Sequence, residues 1–188
     1  MAENELSFET EAEEIASLTE RIDGVNAELA ALLTARGRFV TAAESLTGGM
    51  ISSAFVNIPG SSNWFSDGYV TYTDAAKHRM IGVPAETLER ETAVSADVGL
   101  AMALGALERS GADYSVAVTG LAGPFTDDRG QPIALDPRHE PGLVYIACAC
   151  ASGAVVRRFV FSGGRMLVRK KTNWKAVQML KKLMQSLQ

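Results

Sequence analysis

Four short stretches hold side chains that could do chemistry together. In Thr41-Ala-Ala-Glu-Ser-Leu-Thr-Gly-Gly49 a strand pattern runs directly into a helix pattern, with Glu44, Ser45 and Thr47 at the join. Backbone N–H groups at a helix start can hold an oxyanion or a phosphate. The glycines that follow remove Cβ atoms that would keep a ligand off the backbone. Ser45 reads there as a nucleophile, or else Ser45 or Thr47 is a helix N-cap, with Gly48 and Gly49 serving packing. A serine nucleophile needs a base. His78 lies in a charged helical stretch and His139 in a long loop, so neither sits at a strand end suited to a Ser-His-Asp triad. A lysine can take that role when burial lowers its pKa from about 10.4 toward neutrality. Lys77 follows Val70-Thr-Tyr-Thr-Asp-Ala-Ala, a second strand-to-helix junction, where Tyr72 could relay a proton or orient the amine. By itself, Lys77 also fits a solvated surface position.

The third stretch is Val116-Ala-Val-Thr-Gly-Leu-Ala-Gly-Pro124. An apolar strand delivers Thr119 and Gly120 to the sheet edge where α/β proteins bind ligands. Thr119 could donate a hydrogen bond to substrate, or simply end the strand in a turn. The fourth is Ser162-Gly-Gly-Arg-Met-Leu-Val-Arg169. Arg165 and Arg169 are four apart at a helix start and so share a face, which suits an anionic substrate group as well as a solvated surface. No Cys/His cluster has metal-ligand spacing, and neither the dinucleotide nor the Walker phosphate motif occurs. No metal and no cofactor are expected.

These stretches need elements to position them. Thr10 with Glu13 reads as a capping box. It opens a helical run through Ile15, Leu18, Ile22, Val25, Leu29 and Leu32, with a possible break at Asp23-Gly24 and an end at Gly37. Strands are expected over 38–43, 64–72, 114–118, 143–150 and 155–161, the last two joined as a hairpin at Ser152-Gly153. Helices are expected over 48–56, 74–81, from Ser95 to Gly111, and over 166–187. Strands interleaved with helices, plus one hairpin, predict an α/β fold: a three-layer α/β/α sandwich with a mixed β-sheet. The stretch from Gly123 to Gly142 is rich in proline and poor in apolar residues, and reads as a long functional or mobile loop.

Composition sets the outer limits. The 188 residues fit one domain with a terminal extension, and 47% hydrophobic residues suffice for a sizeable core. A net charge of −4 gives no reason to expect nucleic acid. No apolar run reaches membrane-span length, and the acidic start is the wrong composition for a signal peptide. A cytoplasmic protein is expected. Cys148 and Cys150, two apart in an apolar strand, read as small buried hydrophobes rather than a disulfide. The N-terminal amphipathic pattern holds more apolar residues than a free tail should expose, which predicts a homo-oligomer.

Taken together, the motifs resemble the C-terminal domain of the CinA (competence- and damage-inducible) family. Its signature runs T-A-E-S-C-T-G-G, P-G-S-S, F-x-x-G-x-V-T-Y-S-N-x-A-K, G-A-V-S, V-T-G-I-A-G-P, a glycine-rich K-P-V-G segment and G-x-R-x-x-V-R. This chain reads Ala43 to Gly49, Pro59 to Ser62, Phe65 to Lys77, Thr92 to Ser95, Val118 to Pro124 and Gly164 to Arg169 in that order. The likeness runs from about Leu29 onward, leaving residues 1–28 as a helical extension and 29–188 as the family domain. The family's stand-alone members are nicotinamide-nucleotide amidohydrolases. The resemblance implies Ser45 as nucleophile, Lys77 as base, Tyr72 beside it and Thr119 as a substrate contact. It also implies Thr47, Gly48, Gly49 and Gly120 near the substrate, with Arg165 and Arg169 binding the nucleotide. The implied reaction turns the carboxamide of nicotinamide mononucleotide into carboxylate and ammonia, with N–H groups around Thr47 to Gly49 holding the oxyanion. Three departures stand out. Leu46 replaces the signature cysteine, and Asp74 replaces an asparagine, adding a charge that favours the protonated lysine. Residues 125–140 replace the glycine-rich segment and lack its lysine. These departures keep two other readings open: an amidohydrolase with a shifted substrate, and a catalytically silent homologue that binds a nucleotide or a protein partner.

Overall fold

The computed structural model describes residues 10–123 and 140–186. Thr10 and Glu13 form the expected capping box, each side chain bonding the other's backbone N–H (3.3 and 3.1 Å). They open helix α1, Glu11–Arg36, which ends at Gly37 with φ 59°. The alternative of a break at Asp23-Gly24 is not taken. One glycine costs a helix only about 1 kcal/mol, and a buried stripe of Leu18, Ile22, Leu29 and Leu33 ties down the helix on both sides of it.

The remaining elements are β1 (Val40–Glu44), α2 (Met50–Val56), β2 (Phe65–Val70), α3 (Asp74–Ile81), α4 (Ala85–Glu91) and α5 (Ala96–Ser110). After these come β3 (Tyr114–Gly120), β4 (Leu143–Cys150), β5 (Gly153–Val160) and α6 (Arg165–Ser186). Helix α4 is not foreseen from the sequence. It is short and buries only Leu88, too little for a periodic signal. The strands form one sheet in the order β2-β1-β3-β4-β5. β1 pairs in parallel with β2 and β3, while β4 runs antiparallel to β3 and to β5. Helices α1, α2 and α6 cover one face and α3, α4 and α5 the other, so the chain is the expected three-layer sandwich with a mixed sheet.

Alternation along the strands sorts the two cores. Val116, Val118, Val144, Ile146 and Cys148 face α1 and α6. Ala117, Ala147 and Ala149 face α5, where small side chains let the helix lie close to the sheet. The Ser115 hydroxyl donates to the Ala103 carbonyl (2.7 Å) and pins α5 to β3. Both cysteines are free and buried. The stripe of α1 is covered within the single chain by α6 and α2. Its apolar content therefore no longer calls for a second copy. Among the described residues no helix is long and apolar enough to cross a membrane.

Candidate active site

Strands β1, β2 and β3 run parallel, so their C-terminal ends lie along one edge of the sheet, where such sheets bind ligands. A cavity of about 230 Å³ opens there. Ser45 and Leu46 from the β1 exit, Tyr72 and Lys77 from the β2 exit, and Thr119 to Gly123 from the β3 exit line it. Ala93, Val94 and Arg165 complete the wall.

Ser45 follows β1 and its N–H donates to the Val118 carbonyl (3.1 Å), which ties the turn to β3. Gly48 and Gly49 have φ of 60° and 94°, conformations that side-chain-bearing residues rarely adopt. They lie ahead of α2 rather than in its first turn. The first turns of α2 are held from within. The fully buried Glu44 carboxylate accepts the N–H groups of Gly49 (3.0 Å), Ile51 (3.0 Å) and Ser52 (2.8 Å) and the Ser52 hydroxyl (2.7 Å). The positive end of the helix is thus answered by a carboxylate of the chain itself. With the Gly48 N–H donating to the Ser45 carbonyl (3.1 Å), both glycine N–H groups are engaged. Among the described residues, the N–H groups of Leu46 and Thr47 make no such bond. Of the two residues only Leu46 lines the cavity, so its N–H is the donor this turn leaves for an oxyanion.

Lys77 is fully buried. Its Nζ lies 3.4 Å from Ser45 Oγ, donates to the Tyr72 carbonyl (3.2 Å) and stands 3.7 Å from Asp74 Oδ1. Burial lowers the lysine pKa, and the charge and hydrogen bond of Asp74 act against it; burial is the larger effect. Tyr72 is 62% exposed, and the contact it makes with the amine is through its backbone carbonyl. The Thr119 hydroxyl donates to the Ala93 carbonyl, so its proton is committed and its lone pairs remain. Gly120 is required by packing: a Cβ there would stand 2.5 Å from the Leu143 carbonyl oxygen on β4.

The two arginines part company. Arg165, the first residue of α6, is exposed at the cavity wall and makes no ion pair among the described residues. Arg169 turns inward instead, donating to the carbonyls of Leu46 (3.0 Å) and Thr47 (2.7 Å) and bracing the turn behind Ser45. Thr47, Gly48 and Gly49 likewise stand outside the cavity lining. His78 bonds the Val83 carbonyl (2.8 Å). The expected pocket-bordering loop lies almost entirely in residues 124–139, outside the described residues, as does His139. Sequence reasoning missed the clamping role of Glu44 and the wall made by Ala93 and Val94. The glutamate at the end of a strand, ahead of a helix without a Ser, Thr, Asn or Asp cap, was the available signal.

Fold and site together define a class: three-layer α/β/α proteins with a buried serine–lysine pair at the C-terminal edge of the parallel strands. The chain belongs to the CinA family, since the CinA C-terminal domain model matches residues 22–184. Nicotinamide-nucleotide amidohydrolase PncC of Escherichia coli K12 is 44% identical over 149 residues, covering 79% of this chain and 86% of that protein. A CinA-like protein of Geotalea uraniireducens is 39% identical over 168 residues, 89% of this chain but only 37% of that longer protein. The crystal structure of a competence/damage inducible protein from Agrobacterium tumefaciens superposes with a TM-score of 0.80 at 38% identity, covering 87% of this chain and 95% of that one. A CinA superfamily protein from Escherichia coli superposes at 0.76 with 33% identity, covering 86% and 90%.

Proposed function

We propose that this chain hydrolyses the carboxamide of nicotinamide mononucleotide to nicotinate mononucleotide and ammonia, with Ser45 as nucleophile and Lys77 as base. The amidohydrolase relatives, matched over most of both chains, support the reaction class. The observation that carries the mechanism is the buried Lys77 amine 3.4 Å from Ser45 Oγ, with its pKa lowered by burial. A neutral amine is the form that can accept the serine proton.

In the first half-reaction the Ser45 hydroxyl passes its proton to Lys77 while Oγ bonds to the carboxamide carbon. The oxygen that becomes negative takes the Leu46 N–H at the cavity wall. Collapse breaks the carbon–nitrogen bond, and the Lys77 ammonium returns the proton so that nitrogen leaves as ammonia. Water, deprotonated by Lys77, then attacks the carbonyl carbon of the Ser45 ester; the carbon–Oγ bond breaks, Lys77 returns the proton to Ser45 Oγ, and the carboxylate leaves. Thr119, whose hydroxyl proton goes to Ala93, accepts a hydrogen bond from the carboxamide N–H. Arg165 at the rim takes the phosphate.

The test is ammonia release from nicotinamide mononucleotide. Ser45→Ala is expected to abolish turnover, and Lys77→Ala to lower kcat by about 10²- to 10⁴-fold. An inactive parent protein that still binds the nucleotide would replace the hydrolase by a nucleotide-binding homologue. Turnover surviving in Ser45→Ala would overturn the mechanism.

A further inference from the structure

The first turn of α1 precedes the stretch matched by the family model, which begins at residue 22, yet it reaches the turn that opens α6. Glu11 Oε1 accepts the Gly164 N–H at 2.7 Å. One turn along, Glu14 pairs with Lys171 at 3.1 Å, and Lys171 Nζ also donates to the Ser162 carbonyl at 3.1 Å. The Ser162–Gly164 turn is therefore held by Glu11 of α1 directly and by Lys171 of α6, which Glu14 of α1 pairs. Gly164 in particular leaves the room that Glu11 takes. A Cβ on Gly164 would stand 2.7 Å from Glu11 Oε2, and one on Gly163 would stand 3.2 Å from Glu11 Oε1.

The bond has a known counterpart. In a capping box, the third helical residue is a Glu or Gln that reaches back to the N–H of the capping residue. In α6 that third residue is Leu167, which cannot do so. Glu11 supplies the missing acceptor from another helix, and its charge faces the positive end of α6. The register of α6 matters to the pocket because Arg165 lines it and Arg169, one turn on, braces the turn behind Ser45. The capping box of Thr10 and Glu13 in turn fixes the first turn of α1.

We propose that Glu11 is a positioning residue for substrate binding: it caps α6 from the first turn of α1 and so holds Arg165 where it meets the anionic group of the substrate. The anionic substrate rests on the function proposed above; the cap itself does not.

Steady-state ammonia release from nicotinamide mononucleotide, with parent-like circular dichroism as a folding control, tests the idea. Glu11→Ala is expected to raise KM roughly three- to tenfold with kcat near the parent value, the scale of a lost helix cap. Glu11→Gln keeps the acceptor and holds KM near the parent value. In an Arg165→Ala background, which raises KM by itself, Glu11→Ala adds nothing further. An unchanged KM in Glu11→Ala, or an equal effect in both backgrounds, overturns the proposal. A parent that releases no ammonia defeats the proposed function instead. Amide hydrogen exchange then decides the cap: Glu11→Ala should speed exchange at Gly164 and the first turn of α6 about tenfold, leaving its second half unchanged. Equal exchange in parent and variant overturns it.

Discussion

The turn after β1 and the turn after β2 feed one pocket but are built in opposite ways. After β1, the polar groups around Ser45 are largely tied down: Glu44 takes three N–H groups and a hydroxyl on one side, and Arg169 takes two carbonyls on the other. After β2, Lys77 has a serine hydroxyl, one carbonyl and the 55% exposed Asp74 around its amine. The first turn fixes where the Ser45 hydroxyl stands. The second leaves a charge state in the balance between desolvation and one carboxylate. Position there is a matter of stability, and protonation a matter of electrostatics.

Breaking the first turn should have the larger effect. Glu44→Gln keeps the shape but turns an amide NH₂ toward N–H donors, and should destabilise the fold by about 2–4 kcal/mol in chemical denaturation. A loss within experimental error would mean that the clamp is not what holds the turn. The second turn can be sharpened without unfolding it. Asp74→Asn removes the group that raises the Lys77 pKa, so desolvation acts alone. A base works in its neutral form, so kcat/KM rises with pH through the lysine pKa. That rise should move to lower pH in Asp74→Asn, and a shift to higher pH would remove Lys77 as the base. Tyr72→Phe should matter least, because the carbonyl that holds Lys77 survives the change. A phenol that relayed a proton would cost about 10²-fold or more when removed; a loss of that size in kcat would restore the relay.

The unevenness of the two turns also explains what was legible beforehand. Ser45, Lys77 and Thr119 could be read as candidates because each sits where a strand pattern passes into a turn or helix, and parallel strands bring such junctions to one edge. The role of Glu44 could not be read, because its partners are backbone N–H groups that exist as a set only once α2 has formed. Arg165 and Arg169 have the spacing of one helix face, yet one lines the cavity and the other braces a turn. Their division depends on how α6 lies against the β1 exit. At Asp23-Gly24 the local signal suggested a break, and burial of the stripe on both sides outweighed it.

The sequence by itself determined the layer order, the family and the junctions that bring Ser45 and Lys77 to one sheet edge, because periodicity and turn chemistry are local properties. Only the tertiary structure decided that Lys77 is desolvated rather than solvated, that the Tyr72 carbonyl meets its amine, and that the first turn of α1 grips the start of α6. Burial and long-range hydrogen bonds belong to no single segment; they arise when separate layers close on one another.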